Sequence, residues 1–144
     1  MSTRSVVRLA RARAGLEASA DLPPVAADRP TFFAADGPRG QTYSAWYDPV
    51  EPLAACLREH DLHPGDCVLL LAETRLEWLQ ADLAIMAAGG LTVPVYPTLP
   101  PGQIEEILHD SGAGIAFVAN RVLLAELLSA PSAAGQLRLC VLLP

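Results

Sequence analysis

From Cys67 onward the apolar residues fall into two kinds of block that take turns along the chain. Cys67-Val68-Leu69-Leu70-Leu71-Ala72 is a short unbroken apolar run, the pattern of a strand covered on both faces as in a parallel sheet. The next block spaces Leu76, Leu79, Leu83 and Met86 at helical intervals, predicting a helix over 75–88 with these four on one stripe. Gly89-Gly90 ends it, because glycine takes the left-handed backbone cheaply. Leu91 to Tyr96 reads as a second strand, with Pro94 marking an edge or a bulge. Pro100-Pro101 opens a helix that carries Ile104, Ile107 and Leu108 and closes at Gly112. Gly114 to Val118 is a third strand, Asn120 caps a helix with Leu123, Leu124, Leu127 and Leu128, and 137–143 is a last strand. Regular alternation of this kind predicts an α/β fold: an incomplete parallel-sheet subdomain of alternating strands and helices.

Upstream the signals are shorter. Thr31-Phe32-Phe33 and Gln41-Thr42-Tyr43-Ser44 flank Asp36-Gly37-Pro38 and read as a hairpin. Asp48-Pro49-Val50-Glu51 carries a helix-start pattern, with Asp48 as cap and Glu51 at the capping-box position. Pro52 offers a second start for the same helix, whose stripe is Leu53, Cys56 and Leu57. His63 to Asp66 is a turn, and 21–30 is an extended entry with three prolines. Residues 1–20 set Arg4, Arg8 and Arg11 opposite Val7, Ala10 and Ala14 but hold no continuous apolar core, so they are not a secretory signal. They read as a basic, loosely ordered extension. The alternatives are a helix lying on an anionic membrane surface and a transit peptide.

Composition narrows the function. Half of the 144 residues (51%) are hydrophobic, which fits a packed core and excludes a disordered chain. A net charge of −6 excludes nucleic acid as the main partner, since neutralising phosphates needs a basic face. All ten basic residues are arginine. A lysine-bearing phosphate loop therefore cannot exist here. Cys56, Cys67 and Cys140 lie apart in apolar runs, without metal spacing, and read as small core residues of a reducing, cytoplasmic compartment.

No constellation of reactive side chains emerges. Gly112-Ala113-Gly114 lies between a helix and the following strand, the reverse of the order a phosphate cradle needs. His109-Asp110-Ser111 holds the residue types of a triad, but neighbours on one helix end cannot converge on a point. His60 and His63 have no acidic companion at ligand spacing. Glu105 and Glu106 diverge by about 100° on a helix and read as a solvated face, while Glu73 and Glu77 favour the positive end of the helix dipole. The expectation is that no catalytic, cofactor-binding or metal-binding residue is present.

The order of motifs nevertheless resembles a known family. Pro64-Gly65-Asp66, an apolar strand, Glu77-Trp78 and Ala81 to Gly90 resemble the early region of AMP-forming acyl-CoA synthetases. Thr92-Val93-Pro94-Val95-Tyr96-Pro97-Thr98 looks like the long-chain fatty acid branch. Thr42-Tyr43-Ser44 and Ile107 to Ala113 match flanking family patterns, whereas Ala45-Trp46-Tyr47-Asp48-Pro49 departs from the family's acid after "T-Y". The resemblance covers 21–144 and implies the N-terminal portion of the synthetase large domain, truncated at its C-terminal side. It implies a long-chain fatty acid–CoA ligase that uses ATP, Mg²⁺ and coenzyme A, forms an acyl-adenylate and then a thioester. The family's phosphate loop, magnesium ligand, ribose-binding acid and C-terminal lysine correspond to no residue of this chain. The resemblance thus implies an acid–thiol ligase fragment that is inactive alone, holds no cofactor itself and pairs with the remainder of the synthetase. A non-catalytic module that binds acyl chains or a full-length synthetase is the other reading, and peripheral membrane contact through 1–20 is compatible with both.

A scaffold that leaves part of its core surface to missing elements is marginal by itself, because net domain stability is only about 5–15 kcal/mol. The isolated chain is expected to aggregate or to melt early. A monomer with a cooperative transition above ~60 °C in calorimetry contradicts that expectation.

Overall fold

A computed structural model describes residues 47–144 in full, together with the backbone of strand segments at 6–7, 30–33 and 40–42. Strands β1 (Val6–Val7), β4 (Cys67–Leu71), β5 (Leu91–Val95), β6 (Ile115–Val118) and β7 (Leu139–Leu142) form one sheet in the order β1-β7-β6-β4-β5. Every pairing in it is parallel. Strands β2 (Pro30–Phe33) and β3 (Gly40–Thr42) form a separate antiparallel pair, the expected hairpin. The helices are α1 (Val50–Glu59), α2 (Leu76–Ala87), α3 (Pro101–Ser111), α4 (Arg121–Ser129) and α5 (Pro131–Gln136). Within the stretch read as a basic extension, Val6 and Val7 pair with Cys140 and Val141.

The strand order follows from handedness. Parallel strands joined through a helix cross over right-handedly, so reversing the direction of travel along the sheet moves the helix to the other face. The chain steps from β4 to β5 through α2, then returns past β4 to β6 through α3 and continues to β7 through α4 and α5. Helix α2 therefore covers one face, and α3, α4 and α5 cover the other. Side chains divide accordingly: Val68, Leu70, Ile115 and Phe117 meet α1 and α2, while Leu69, Leu71, Ala116 and Val118 meet α3 and α4. All eight are buried. This is the α/β class expected, and the unbroken apolar runs are explained by burial on both faces.

Three local expectations are corrected. Asp48 does not cap α1; Pro49 is the N-cap residue and no side chain bonds there. Glu51 instead pairs with Arg58 at 2.8 Å. Pro52 is harmless because the first intrahelical bond runs from Leu53 N–H to Pro49 O, leaving the nitrogen of Pro52 among those a helix start never pairs. Second, the predicted stripe of α2 is not its buried side. It buries Ala81, Ala84 and Ile85, followed by Ala88, whereas Leu76, Leu79 and Leu83 are half-buried and Met86 is 52% exposed. Small alanines let the helix sit close to the sheet. Third, Pro131 starts a separate short helix, α5, that the pattern did not announce. Pro94 does mark an edge, as β5 pairs only with β4 among the described residues. Gly112 closes α3 with φ +65°, and Asn120 caps α4 as expected.

At the amino edge of the sheet, Arg138 ties distant elements together. Its guanidinium donates to the carbonyls of His60 and Asp61, at 3.3 and 2.8 Å, and lies 3.6 Å from the Asp66 carboxylate. Those carbonyls end α1, where a cation is favoured. The guanidinium fits only because Gly114 has no side chain, since a Cβ there would collide with Nη1. Gly114→Ala and Arg138→Met are each expected to cost about 1–2 kcal/mol, the scale of lost charge-assisted hydrogen bonds at a half-exposed site. The double variant should cost little more than either alone, because both remove one contact set; additive losses in urea melts contradict the linkage.

Candidate functional site

In an open α/β sheet, ligands bind beyond the carboxyl ends of the strands, at the point where successive connections leave for opposite faces. Here that point lies between β4 and β6. After Leu71 the chain runs through Ala72, Glu73, Thr74 and Arg75 into α2, and after Val118 it runs through Ala119 and Asn120 into α4 on the other face.

The crevice between these loops is latched. Ala119 N–H donates to Leu71 O at 3.0 Å, continuing the ladder one step beyond the strand. Arg75 Nη2 donates across the gap to Ala119 O at 3.3 Å, and its Nε lies 3.4 Å from the Glu77 carboxylate. Asn120 Oδ1 accepts from Val122 and Leu123 N–H, both at 3.0 Å. That side chain uses the amides which a bare helix start would turn toward an anion. Glu73 and Thr74 are exposed on the rim. The arrangement offers one guanidinium already engaged by a carboxylate and a carbonyl, with no nucleophile beside a base.

The residues weighed for chemistry are not brought together. His60 Nδ1 lies 2.8 Å from Cys56 O at the end of α1, and His63 sits in the turn, 3.7 Å from Asp66. His109 and Asp110 are adjacent and exposed, while Ser111 Oγ donates back to Leu108 O, so the three do not form a relay. Glu105 accepts from Ser132 N–H at 3.2 Å and serves as a cap for α5; Glu106 is exposed. Among the described residues, no group of three or more His, Cys, Asp or Glu side chains could hold a metal ion. Two of the described helix starts do not fit a triphosphate either. Asn120 closes α4, and the prolines at 100 and 101 open α3 without two of its amides. No step through ATP, Mg²⁺ or coenzyme A is derived from these residues.

A second concavity, of about 180 Å³, lies between α3 and α4 on an apolar floor of Leu71, Ile104, Leu123 and Leu127, with Glu105 and Glu126 at its rim. The three cysteines are half-buried and form no disulfide with one another. Burial pushes the Cys56 thiol above its ordinary value, and the Glu59 carboxylate adds to the rise. A raised value leaves less thiolate at neutral pH. Alkylation of Cys56 by iodoacetamide is therefore expected to be slow at pH 7.5, with a rate that climbs only above the usual thiol range of about 8.5. A midpoint at or below that range contradicts the assignment.

The profile of the family described as AMP-binding enzyme matches residues 22–143. The long-chain-fatty-acid–CoA ligase FadD15 of Mycobacterium bovis is 39% identical over 66 residues, which are 44% of this chain and 11% of that protein. Gramicidin S synthase 2 of Aneurinibacillus migulanus is 37% identical over 71 residues, 49% of this chain and 2% of that protein. Among solved structures, the anthranilate CoA ligase AuaEII in complex with anthranoyl-AMP superposes with a TM-score of 0.73 at 24% identity, over 81% of this chain and 22% of its own. A benzoate CoA ligase from Burkholderia xenovorans gives 0.66, also at 24% identity and with the same coverage. These likenesses show that the fold is that of adenylate-forming enzymes. The chain spans about a tenth of the fatty-acid ligase and a fifth of the solved ligases it matches. No described helix is long and apolar enough to cross a membrane. With the profile covering 22–143, the chain belongs to the AMP-binding enzyme family.

Proposed function

We propose that residues 21–144 are the first part of the large domain of a long-chain fatty acid–CoA ligase, and that 1–20 are a basic extension to it. The observation that carries this reading is the motif run from Pro64 to Thr98, which occupies the β4–α2–β5 unit and ends in the long-chain pattern Val93-Pro94-Val95-Tyr96-Pro97. The complete enzyme activates a fatty acid with Mg·ATP as acyl-adenylate and diphosphate, after which coenzyme A displaces AMP. Charge that builds on the phosphates during this step must be met by fixed amides and cations. On this reading the chain supplies scaffold, the grip belongs to the rest of the ligase, and the chain alone is inactive. The enzyme works in the cytoplasm, with 1–20 available for peripheral contact with an anionic membrane.

A second reading has a specific basis. Gramicidin S synthase 2 matches nearly as well as the fatty-acid ligase, which supports an amino acid as the activated carboxylate.

Acyl-dependent diphosphate release separates these readings. The chain alone is expected to give no release above background with palmitate or with a panel of amino acids. Supplied with the rest of a related ligase, it is expected to respond to palmitate at least ~10-fold more than to any amino acid. A larger response to an amino acid selects the second reading. Turnover by the 144 residues unaided overturns the inactive scaffold.

A further inference from the structure

The concavity between α3 and α4 joins an apolar floor to two carboxylates that the framework does not use up. Its floor, Leu71, Ile104, Leu123 and Leu127, is only 1–9% exposed, so it is a narrow cleft and not an open apolar patch. At about 180 Å³ it is smaller than the ~300–1,000 Å³ of a drug-sized site and comparable to an engineered cavity of about 150 Å³ that holds benzene. That is room for one ring or a short alkyl chain, not for a helix or a strand. Glu105 and Glu126 stand at the rim. Among the described residues neither carboxylate belongs to an ion pair, whereas Glu51, Glu77 and Asp66 each have an arginine. Glu105 is held in place by Ser132 N–H, which donates to Oε1 at 3.2 Å and leaves Oε2 unengaged.

We infer that this cleft binds a small amphipathic cation: an amidine, guanidine or amine carried on a short apolar body. Two carboxylates at one opening repel each other, and a cation between them removes that repulsion while its N–H groups donate charge-assisted hydrogen bonds. A planar amidinium or guanidinium suits the rim best, because its parallel donors match a carboxylate. The apolar floor selects against a bare metal ion, which asks for oxygen ligands on most sides. Glu105 belongs to α3 and Glu126 to α4, so the bound cation ties the two helices together and stabilises the chain. The inference rests on the residues of the cleft and does not depend on which carboxylic acid the ligase activates.

Benzamidine is the probe, with benzamide as its uncharged isostere and benzoate as its anionic one. Titrated into the isotope-labelled 144-residue chain below its melting transition, benzamidine is expected to shift the backbone amide resonances of α3 and α4 saturably, with a Kd below ~1 mM. It should also raise the melting midpoint. Benzamide and benzoate are expected to bind at least ~10-fold more weakly. Glu126→Gln should weaken benzamidine at least ~5-fold. Glu126 is exposed, so that change should leave the melting midpoint within ~3 °C of its original value. Glu126→Lys places a cation at the rim permanently and should abolish benzamidine binding without lowering the midpoint. Glu106→Gln, exposed on α3 outside the cleft, should leave the Kd unchanged. No saturation by ~10 mM benzamidine, or equal affinity for benzamide, overturns the assignment. Equal losses with Glu106→Gln and Glu126→Gln do so too, since they would show attraction to an acidic surface without a site.

Discussion

The right-handed crossover is the constraint on which the rest of this structure depends. Once the chain has stepped from β4 to β5 and must return to the other side of β4, the next helix has no choice but the opposite face. That one reversal creates three layers, buries β4 and β6 on both faces and opens the crevice between their carboxyl ends. It also explains the residue choice. Val68 to Leu71 and Ile115 to Val118 have no wet face, so they need no alternation of polar and apolar residues. Truncating Phe117, buried centrally among α1 and α2 contacts, would leave a cavity whose cost is of order 3–5 kcal/mol.

Much of this was legible in the sequence because each signal was local and unopposed. Gly112, Asn120, the paired prolines before α3 and the apolar runs each specify one conformation by sterics or hydrogen bonding, and the structure follows them. Helix α2 was misread for a physical reason. Periodicity finds an apolar stripe, and a helix with two of them gives it no means to choose the sheet side. The larger side chains of Leu76, Leu79, Leu83 and Met86 drew the prediction, yet close approach to a sheet favours the alanines. Helix α5 escaped notice because Pro131-Ser132-Ala133-Ala134-Gly135-Gln136 has little apolar pattern; Ala133 is its buried anchor, and Glu105 fixes its start from α3. The two-residue strand Val6–Val7 is too short for any periodic signal.

The crevice at the carboxyl edge was not legible at all. Its parts, Arg75, Ala119 and Asn120, lie some 45 residues apart and meet only through the sheet. Nothing in their residue types marks them for chemistry; Arg75 pairs with Glu77 and a carbonyl, and Asn120 caps its own helix. Residues elsewhere act the same way. Arg138 braces the end of α1, and Glu105 caps α5. Arg58, Arg75, Arg138 and Glu105 all serve the framework in this way. On the reading proposed above, this chain supplies framework, and the groups that handle the adenylate belong to the rest of the ligase.

Calorimetric titration of Mg·ATP into the 144-residue chain bears most directly on that division of labour. Heats of dilution only, with no saturable binding up to ~1 mM, are expected, because the chain holds no lysine and Arg75 and Asn120 at the crevice are already engaged. A saturating isotherm with micromolar Kd would mean that these residues grip phosphate themselves, and the account of a scaffold without a grip would be wrong.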